Sequence, residues 1–330
     1  MANAITYPDT LELIVGETRN LTVDFTNVIG AGDTIANGYS GLVLLDNPTA
    51  YWRFGELSGT TAFDSARYAV NGTIAGTVTQ GVTGPLLNDS NKAYSFTAGS
   101  VTAPSSGTNF TRGHDFSVEC WFKFTGTGDK SILEKWSGGS TYPYVIRAAG
   151  NVPPRWNRYD GVANPGVGSD ANYNDGNWHH LACTLKGTVM SIYTDGAFKN
   201  STTDTTTTEA GNSDPLTIGN RGGGGFAWTG SIDEVALYDY ALSGGQVLAH
   251  YNAAISGRPS ITVVSAGSNE AVPSAIIGAV TITGNVLNVT FSSANLRPKT
   301  DYIVSFTCTV TGPSSLANVI TIYLIVKVVY

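Results

Sequence analysis

The sequence predicts an all-β protein in which a large β-sandwich is inserted into a smaller, discontinuous β-domain. Three observations point there. Short β-branched and aromatic runs recur along the whole of the 330 residues, as half-buried strands do. The 39 glycines, with Ser, Thr and Asn, gather between those runs, where tight turns are needed. The composition also changes twice, at Asn37-Gly38 and at Ser256-Gly257-Arg258-Pro259, from β-branched to aromatic and glycine-rich and back again.

Bulk properties narrow the function classes. Charged residues make up only 13% of the chain, against roughly 25% in an ordinary soluble domain. Solubility then rests on hydroxyl-bearing outward faces, as is common on extracellular and virion proteins. A net charge of −7, a pI near 5.0 and the lack of any basic run argue against nucleic acid or anionic lipid as partner. No stretch reaches the roughly 18 apolar residues of a spanning helix, so membrane insertion is not expected. Met1-Ala2-Asn3-Ala4-Ile5-Thr6 has no charged or apolar signal region, which predicts synthesis in a cytoplasm without a signal peptide. Cys120, Cys183 and Cys308 are far apart and odd in number, so buried free thiols are expected.

Within residues 1–37, Leu11-Glu12-Leu13-Ile14-Val15 and Leu21-Thr22-Val23-Asp24-Phe25 flank a turn at Gly16-Glu17. So short a piece cannot bury a core alone. After Pro259 come Ile261-Thr262-Val263-Val264, Ala279-Val280-Thr281-Ile282, Val286-Leu287-Asn288-Val289 and Tyr302-Ile303-Val304-Ser305-Phe306. Residues 1–37 and 258–330 are therefore read as one domain, interrupted by a second domain at 42–255. The final run, residues 320–330, is apolar on both faces with only Lys327 to break it. It must be a central strand or be covered by another subunit, which makes a homo-oligomer an expectation.

The insert opens with Tyr51-Trp52-Arg53-Phe54-Gly55-Glu56, then Phe63-Asp64-Ser65 and Asn71-Gly72-Thr73. Asp115 through Phe122 alternates as an inner-face strand would. Trp178-His179-His180-Leu181-Ala182 leads into a hairpin whose Asp195-Gly196 predicts a type I′ turn. Leu216-Thr217-Ile218-Gly219 precedes a glycine loop at 222–225; Ile232-Asp233-Glu234-Val235 ends the sheet, and residues 242–251 read as a short closing helix. His179 and His180 point to opposite faces of a strand and cannot chelate one ion.

In that order, these motifs resemble the concanavalin A-like, laminin G-like jelly-roll family over most of the insert. The resemblance implies two curved antiparallel sheets and a structural Ca²⁺, with Asp64, Asn71, Thr73 and Asp233 as its protein ligands and Glu56 a weaker one. The alternative is that Asp64 caps a turn and Asp233 accepts backbone N–H bonds. Where the family has a Ser-Gly-Asn stretch after the aspartate, this chain has Ala66-Arg67-Tyr68-Ala69, with a positive charge close by. The flanking pieces, with Asp24-Phe25, Gly32-Asp33-Thr34-Ile35-Ala36 and Ile261-Thr262-Val263-Val264-Ser265, resemble small Ig-like proteins of tailed phages. That resemblance implies a virion surface role. The full expectation is a laminin-G-like jelly-roll sandwich inserted into a discontinuous Ig-like β-sandwich.

Signs of catalysis are missing from the sequence. There is no Glu-x-Asp carboxylate run of the jelly-roll glycosidases, no Gly-x-Ser-x-Gly, no phosphate loop and no His-Glu-x-x-His. A binder is predicted instead. Pro153-Pro154-Arg155-Trp156-Asn157-Arg158-Tyr159 mixes flat aromatics with amides and arginines, as sugar sites do, and Tyr142, Trp136 and Trp228 join it. Trp156, Tyr159, Arg155 and Trp228 are the ligand-binding candidates; Trp52, Trp121 and Trp178 are assigned to packing. The expected protein is a non-enzymatic phage virion surface protein, a capsid decoration or a head or tail fibre. Its partners would be major capsid or tail proteins on one side and surface glycans or the host cell envelope on the other. A capsid-stabilising decoration protein without ligand and a bacterial surface adhesin are the alternatives.

Overall fold

In the computed structural model the described residues are 38–87 and 89–256, together with the strand backbones at 10–14, 18–24, 34–36, 260–265, 277–283, 286–292, 301–311 and 318–329. The Gly16-Glu17 turn, Gly32-Asp33, the break at 257–259, Tyr330 and the side chain of Cys308 lie outside them.

Along the chain, strands β1 (Thr10–Ile14), β2 (Thr18–Asp24) and β3 (Thr34–Ala36) precede a short helix, α1 (Tyr39–Leu45). Next come β4 (Ala50–Trp52), β5 (Thr61–Ala62), β6 (Gly72–Ala75), β7 (Val78–Thr83), β8 (Lys92–Phe96) and β9 (Ser100–Ala103). They lead to β10 (Phe116–Phe124), β11 (Asp129–Glu134), β12 (Tyr142–Ala149), β13 (Val152–Tyr159) and β14 (Gly166–Gly168). The hairpin strands β15 (His179–Lys186), β16 (Val189–Thr194) and β17 (Ala197–Thr203) follow, then β18 (Leu216–Ile218), β19 (Gly230–Tyr238) and helix α2 (Gly244–Ser256). The chain ends in β20 (Ser260–Ser265), β21 (Ile277–Thr283), β22 (Val286–Ser292), β23 (Asp301–Thr311) and β24 (Asn318–Val329).

The chain divides into two compact units, residues Met1–Leu45 with Ser256–Tyr330, and residues Asp46–Ile255. In the smaller unit every one of the first three strands pairs with a strand from the far end. β1 runs parallel to β24, β2 antiparallel to β22, and β3 antiparallel to β23. Although β1 and β2 are neighbours in sequence, they enter different sheets, one ordered β1-β24-β23-β20 and the other β2-β22-β21. The apolar β24 is paired with β23 over Asn318–Lys327 and with β1 over Ile325–Val329, so only the end of the strand is flanked on both sides. Helix α1 is an element that propensity does not announce; it follows Gly38, whose φ of 88° turns the chain.

The larger unit is a jelly-roll sandwich of two eight-stranded sheets. The first is ordered β17-β16-β15-β10-β19-β8-β7, with β4 also beside β19; the second is ordered β14-β13-β12-β11-β18-β9-β6-β5. Inward side chains of β10 (Phe116, Val118, Cys120, Phe122) meet Ile132, Tyr144, Ile146, Ala148 and Trp156 of the second sheet in one apolar core. Cys120 and Cys183 are buried free thiols within it. The β16–β17 turn is type I′, with Asp195 and Gly196 at φ 51° and 75°.

The two sheets differ in what covers their outer faces. On the first, α2 lies over β10 and β15. Ser243 caps it reciprocally with Gln246, the Ser243 hydroxyl accepting from the Gln246 N–H at 3.2 Å and the Gln246 carbonyl oxygen accepting from the Ser243 N–H at 3.0 Å. Its Tyr251 stacks on Trp121 at 5.9 Å. The fully buried Glu119 carboxylate joins His250 of the helix (3.0 Å) to His180 of β15 (3.2 Å) and accepts from the Tyr238 hydroxyl. Among the described residues, no helix of the larger unit lies on the second sheet's outer face.

Candidate functional site

Strand alternation builds the site. Along β13, Pro154, Trp156 and Arg158 are buried while Arg155, Asn157 and Tyr159 are partly exposed on the opposite face. The register places Tyr142 of β12 beside Tyr159 and Arg147 beside Arg155. The Tyr142 and Tyr159 rings lie 5.6 Å apart, and Trp136, just past β11, adds a third ring 5.1 Å from Tyr142. The Arg221 guanidinium lies over Trp136 and over Phe226, 4.2 Å from each ring, and Arg147 covers Phe226 at 4.1 Å. A continuous row of aromatic rings and guanidinium planes thus crosses this face.

Two carboxylates hold the arginines. Buried Glu134 pairs with Arg147 at 2.7 Å and with Arg221 at 3.5 Å, and accepts from the Ser131 hydroxyl. Asp129 pairs with Arg155 at 2.7 Å and with Arg147 at 3.7 Å. The glycine loop brings in Arg221 and Phe226: Asn220 Oδ1 accepts the Arg221 N–H at 2.8 Å, and a Cβ on Gly222 would meet the Trp136 carbonyl oxygen at 2.9 Å. Only glycine lets the loop approach Trp136 this closely. At the other end, Asp160 accepts the backbone N–H groups of Val162, Ala163, Thr207 and Thr208 at 2.6–2.9 Å. Those bonds, Thr208 foremost, hold its carboxyl below the usual carboxylate range and fix the turn after Tyr159.

The ligand-binding expectations divide accordingly. Arg155 and Tyr159 stand on the exposed face. Trp156 and Trp228 do not, and their expected role as sugar platforms is corrected. Both are fully buried: Trp156 crosses the sandwich to donate its indole N–H to the Ser191 carbonyl at 3.1 Å, and Trp228 packs on Phe124 at 4.8 Å. Strand parity sends Trp156 inward whenever its neighbour Arg155 points outward. Arg147, Arg221, Phe226, Asp129 and Glu134 went unnoticed in the sequence. The strand register would have found the first of them, because two facing arginines require nearby carboxylates.

The expected Ca²⁺ ligands do not come together as one donor set. Asp64 accepts three backbone N–H groups, from Tyr51 and Ala66 on Oδ1 and from Val70 on Oδ2, all at 2.8 Å. Asn71 Oδ1 accepts the Asp64 N–H at 2.9 Å. Oxygens surrounded by N–H donors sit in a positive environment, the reverse of what Ca²⁺ requires. Thr73 is exposed on β6, and Glu56 accepts from Phe63 N–H and the Tyr94 hydroxyl. Asp233 belongs to another group, with Glu234, Arg53 and Asp89 as its charged neighbours. Among the described residues, no cluster of three or more His, Cys, Asp or Glu is placed to hold a metal ion.

Asp233 and Glu234 are both buried, and burial pushes both carboxyls up, Glu234 to about 7. Glu234 pairs with Arg53 at 3.2 Å and accepts from the Tyr51 hydroxyl, whereas Asp233 Oδ1 has no hydrogen-bond donor. The adjacent histidines serve separate networks. His179 bridges Asp195 and Asp175 at 2.9 and 3.1 Å, while His180 turns to Glu119.

Comparison with known proteins agrees with this architecture. Residues 95–248 match the family model Laminin_G_3, described as the concanavalin A-like lectin/glucanases superfamily. The binding domain of Paraclostridial Mosquitocidal Protein 1 is similar in structure, with a TM-score of 0.53 and 15% identity over 84% of this chain and 67% of that one. So is the botulinum neurotoxin serotype D ligand binding domain in complex with N-acetylneuraminic acid, with a TM-score of 0.50 and 11% identity over 84% of this chain and 87% of that one. At these identities the likeness speaks to fold. No curated protein matches the chain in sequence.

Proposed function

We propose that the larger unit is a non-enzymatic, glycan-binding module whose ligand lies on the outer face of the second sheet. The observation that carries this reading is the row Tyr159, Tyr142, Trp136 and Arg221, in which neighbouring planes follow one another at 4.2–5.6 Å and the buried Tyr142 supports the partly exposed Tyr159 and Trp136 on either side. Flat rings stack on the apolar faces of sugar rings, while Asn157, Arg155 and Asp129 offer donors and acceptors to hydroxyls. The N-acetylneuraminic acid bound by the serotype D toxin domain is in keeping with such a role.

The smaller unit, drawn from both ends of the chain, is in this reading the part that docks on a phage capsid or tail protein. The whole is a virion surface protein that displays the sandwich to host or environmental glycans. An array of bacterial surface polysaccharides, read with the full chain, tests the binding role. Retention on at least one polysaccharide, lost in Tyr159→Ala and Trp136→Ala, is the expected result. Failure to bind any of them, together with failure to adsorb to cells, would remove it. Mass spectrometry of purified phage particles tests the virion assignment separately.

A further inference from the structure

We infer that the ligand of this face is an acidic oligosaccharide, one that carries a carboxylate, and that Arg155 and Arg147 receive that carboxylate. The inference rests on the glycan-binding reading and adds the ligand's charge and length.

Three guanidiniums, Arg147, Arg155 and Arg221, share two carboxylates, Asp129 and Glu134. One positive charge is left over on a chain whose net charge is −7. Arg147 and Arg155 are also directly opposite each other in the β12–β13 register. Like charges in facing positions destabilise a sheet; Asp129 bridges the pair and Glu134 holds Arg147, which leaves Arg155 with one shared carboxylate. Arg155 remains partly exposed, with Nη2 bonded to Asp129 and a buried Nη1 that makes no hydrogen bond. A guanidinium presents two parallel donors that match a carboxylate better than any neutral sugar hydroxyl.

Length follows from the strand. Tyr159 and Arg155 are on one face of β13, four residues apart, which is about 13 Å at the usual rise. A single sugar ring cannot stack on the tyrosine and reach the arginine at once. An oligosaccharide can, with one ring on Tyr159 and an acidic ring further along at Arg155.

The test is an array of paired glycans presented to the full chain. Uronic-acid and sialic-acid oligosaccharides would be printed beside their carboxyl-reduced counterparts, with sulfated neutral oligosaccharides as a further arm. Binding to at least one carboxylated member is expected, weakened at least about tenfold by carboxyl reduction, as loss of a charge-assisted bond implies. Asp129→Asn frees Arg155 from its competitor and is expected to strengthen binding to the acidic member relative to its carboxyl-reduced counterpart. A purely structural ion pair would not produce that selectivity. Equal binding to acidic and reduced members, or binding to sulfated members only, overturns the inference while the glycan-binding reading stands. Binding to no member overturns both.

Discussion

Single residues decide what this sandwich tolerates. Asp233 and Glu234 have carboxyls raised by burial, Glu234 to about 7. A raised folded-state value means the stabilising contribution is fully present below the unfolded range near pH 4 and fades as pH rises through the folded values. Urea unfolding is therefore expected to show stability falling between about pH 5 and pH 8. Asp233→Asn should flatten that slope and add about 1–3 kcal/mol at pH 8, since it removes a buried carboxylate oxygen that lacks a donor. A variant less stable than wild type only when Ca²⁺ is present would instead assign a cation to this carboxylate. Trp156 and Tyr159 form a second contrast. Trp156→Ala is expected to cost about 3–5 kcal/mol as a core truncation. Tyr159→Ala should change stability by under about 1 kcal/mol and abolish glycan retention. Melting curves and array binding of the same two variants separate these roles. Both residues were visible in the sequence as aromatics of one segment. Their opposite duties follow from period-two alternation, which applies only once the strand boundaries are known.

Elements show where local pattern was enough and where it was not. The Asp195-Gly196 turn, the short closing helix at 242–251, the alternation of β10 and the apolar run of β24 are local signals, and each is legible without coordinates. Helix α1 was opaque as structure; the glycine loop at 222–225 was legible as a loop, but its close approach to Trp136 was not, because it depends on contacts made elsewhere in the chain. The same holds for the Glu119–His250 pair that clamps α2 to the first sheet, its members being far apart in sequence. Burial pushes His250 down, but Glu119 and Asp46 outweigh that and raise it to about 10. Burial would lift Glu119; the charge on His250, with hydrogen bonds from His180 and His250, holds it below the usual range instead. The His250 contribution is then fully present below about pH 6.5 and is lost as pH climbs through about 10. The Glu119 contribution is present above its ordinary range and lost on acidification. His250→Ala leaves a buried carboxylate short of its partner and is expected to cost about 3–5 kcal/mol at pH 7. The change in melting temperature, accompanied by faster exchange of the α2 amides, would confirm the clamp.

At the scale of the whole molecule, the two compact units make different demands on the chain. Residues 46–255 supply every strand of their own two sheets, whereas the smaller unit's first three strands all find partners beyond residue 285. A fragment of residues 46–255 is therefore expected to unfold in one cooperative transition with a dispersed amide spectrum. A fragment of residues 1–45 is expected to give a random-coil spectrum by itself. An excised 46–255 fragment that fails to fold would mean that the sandwich depends on the flanking strands. The composition changes near residues 38 and 257, and the compact units divide at Leu45/Asp46 and Ile255/Ser256. Which strands pair across them could not be read in the same way, because β-branched runs of similar length are interchangeable until a register is chosen.

The parallel pairing of β1 with β24, Thr10 beside Ile325, sets an order of events during synthesis. β1 leaves the ribosome with no partner and must wait until β24 has emerged. The sandwich can collapse during that interval, turning a long floppy loop into a compact body and lowering the entropy penalty of joining the distant ends. Substitutions that slow the collapse of the sandwich should therefore appear first as premature aggregation of nascent, unzipped termini.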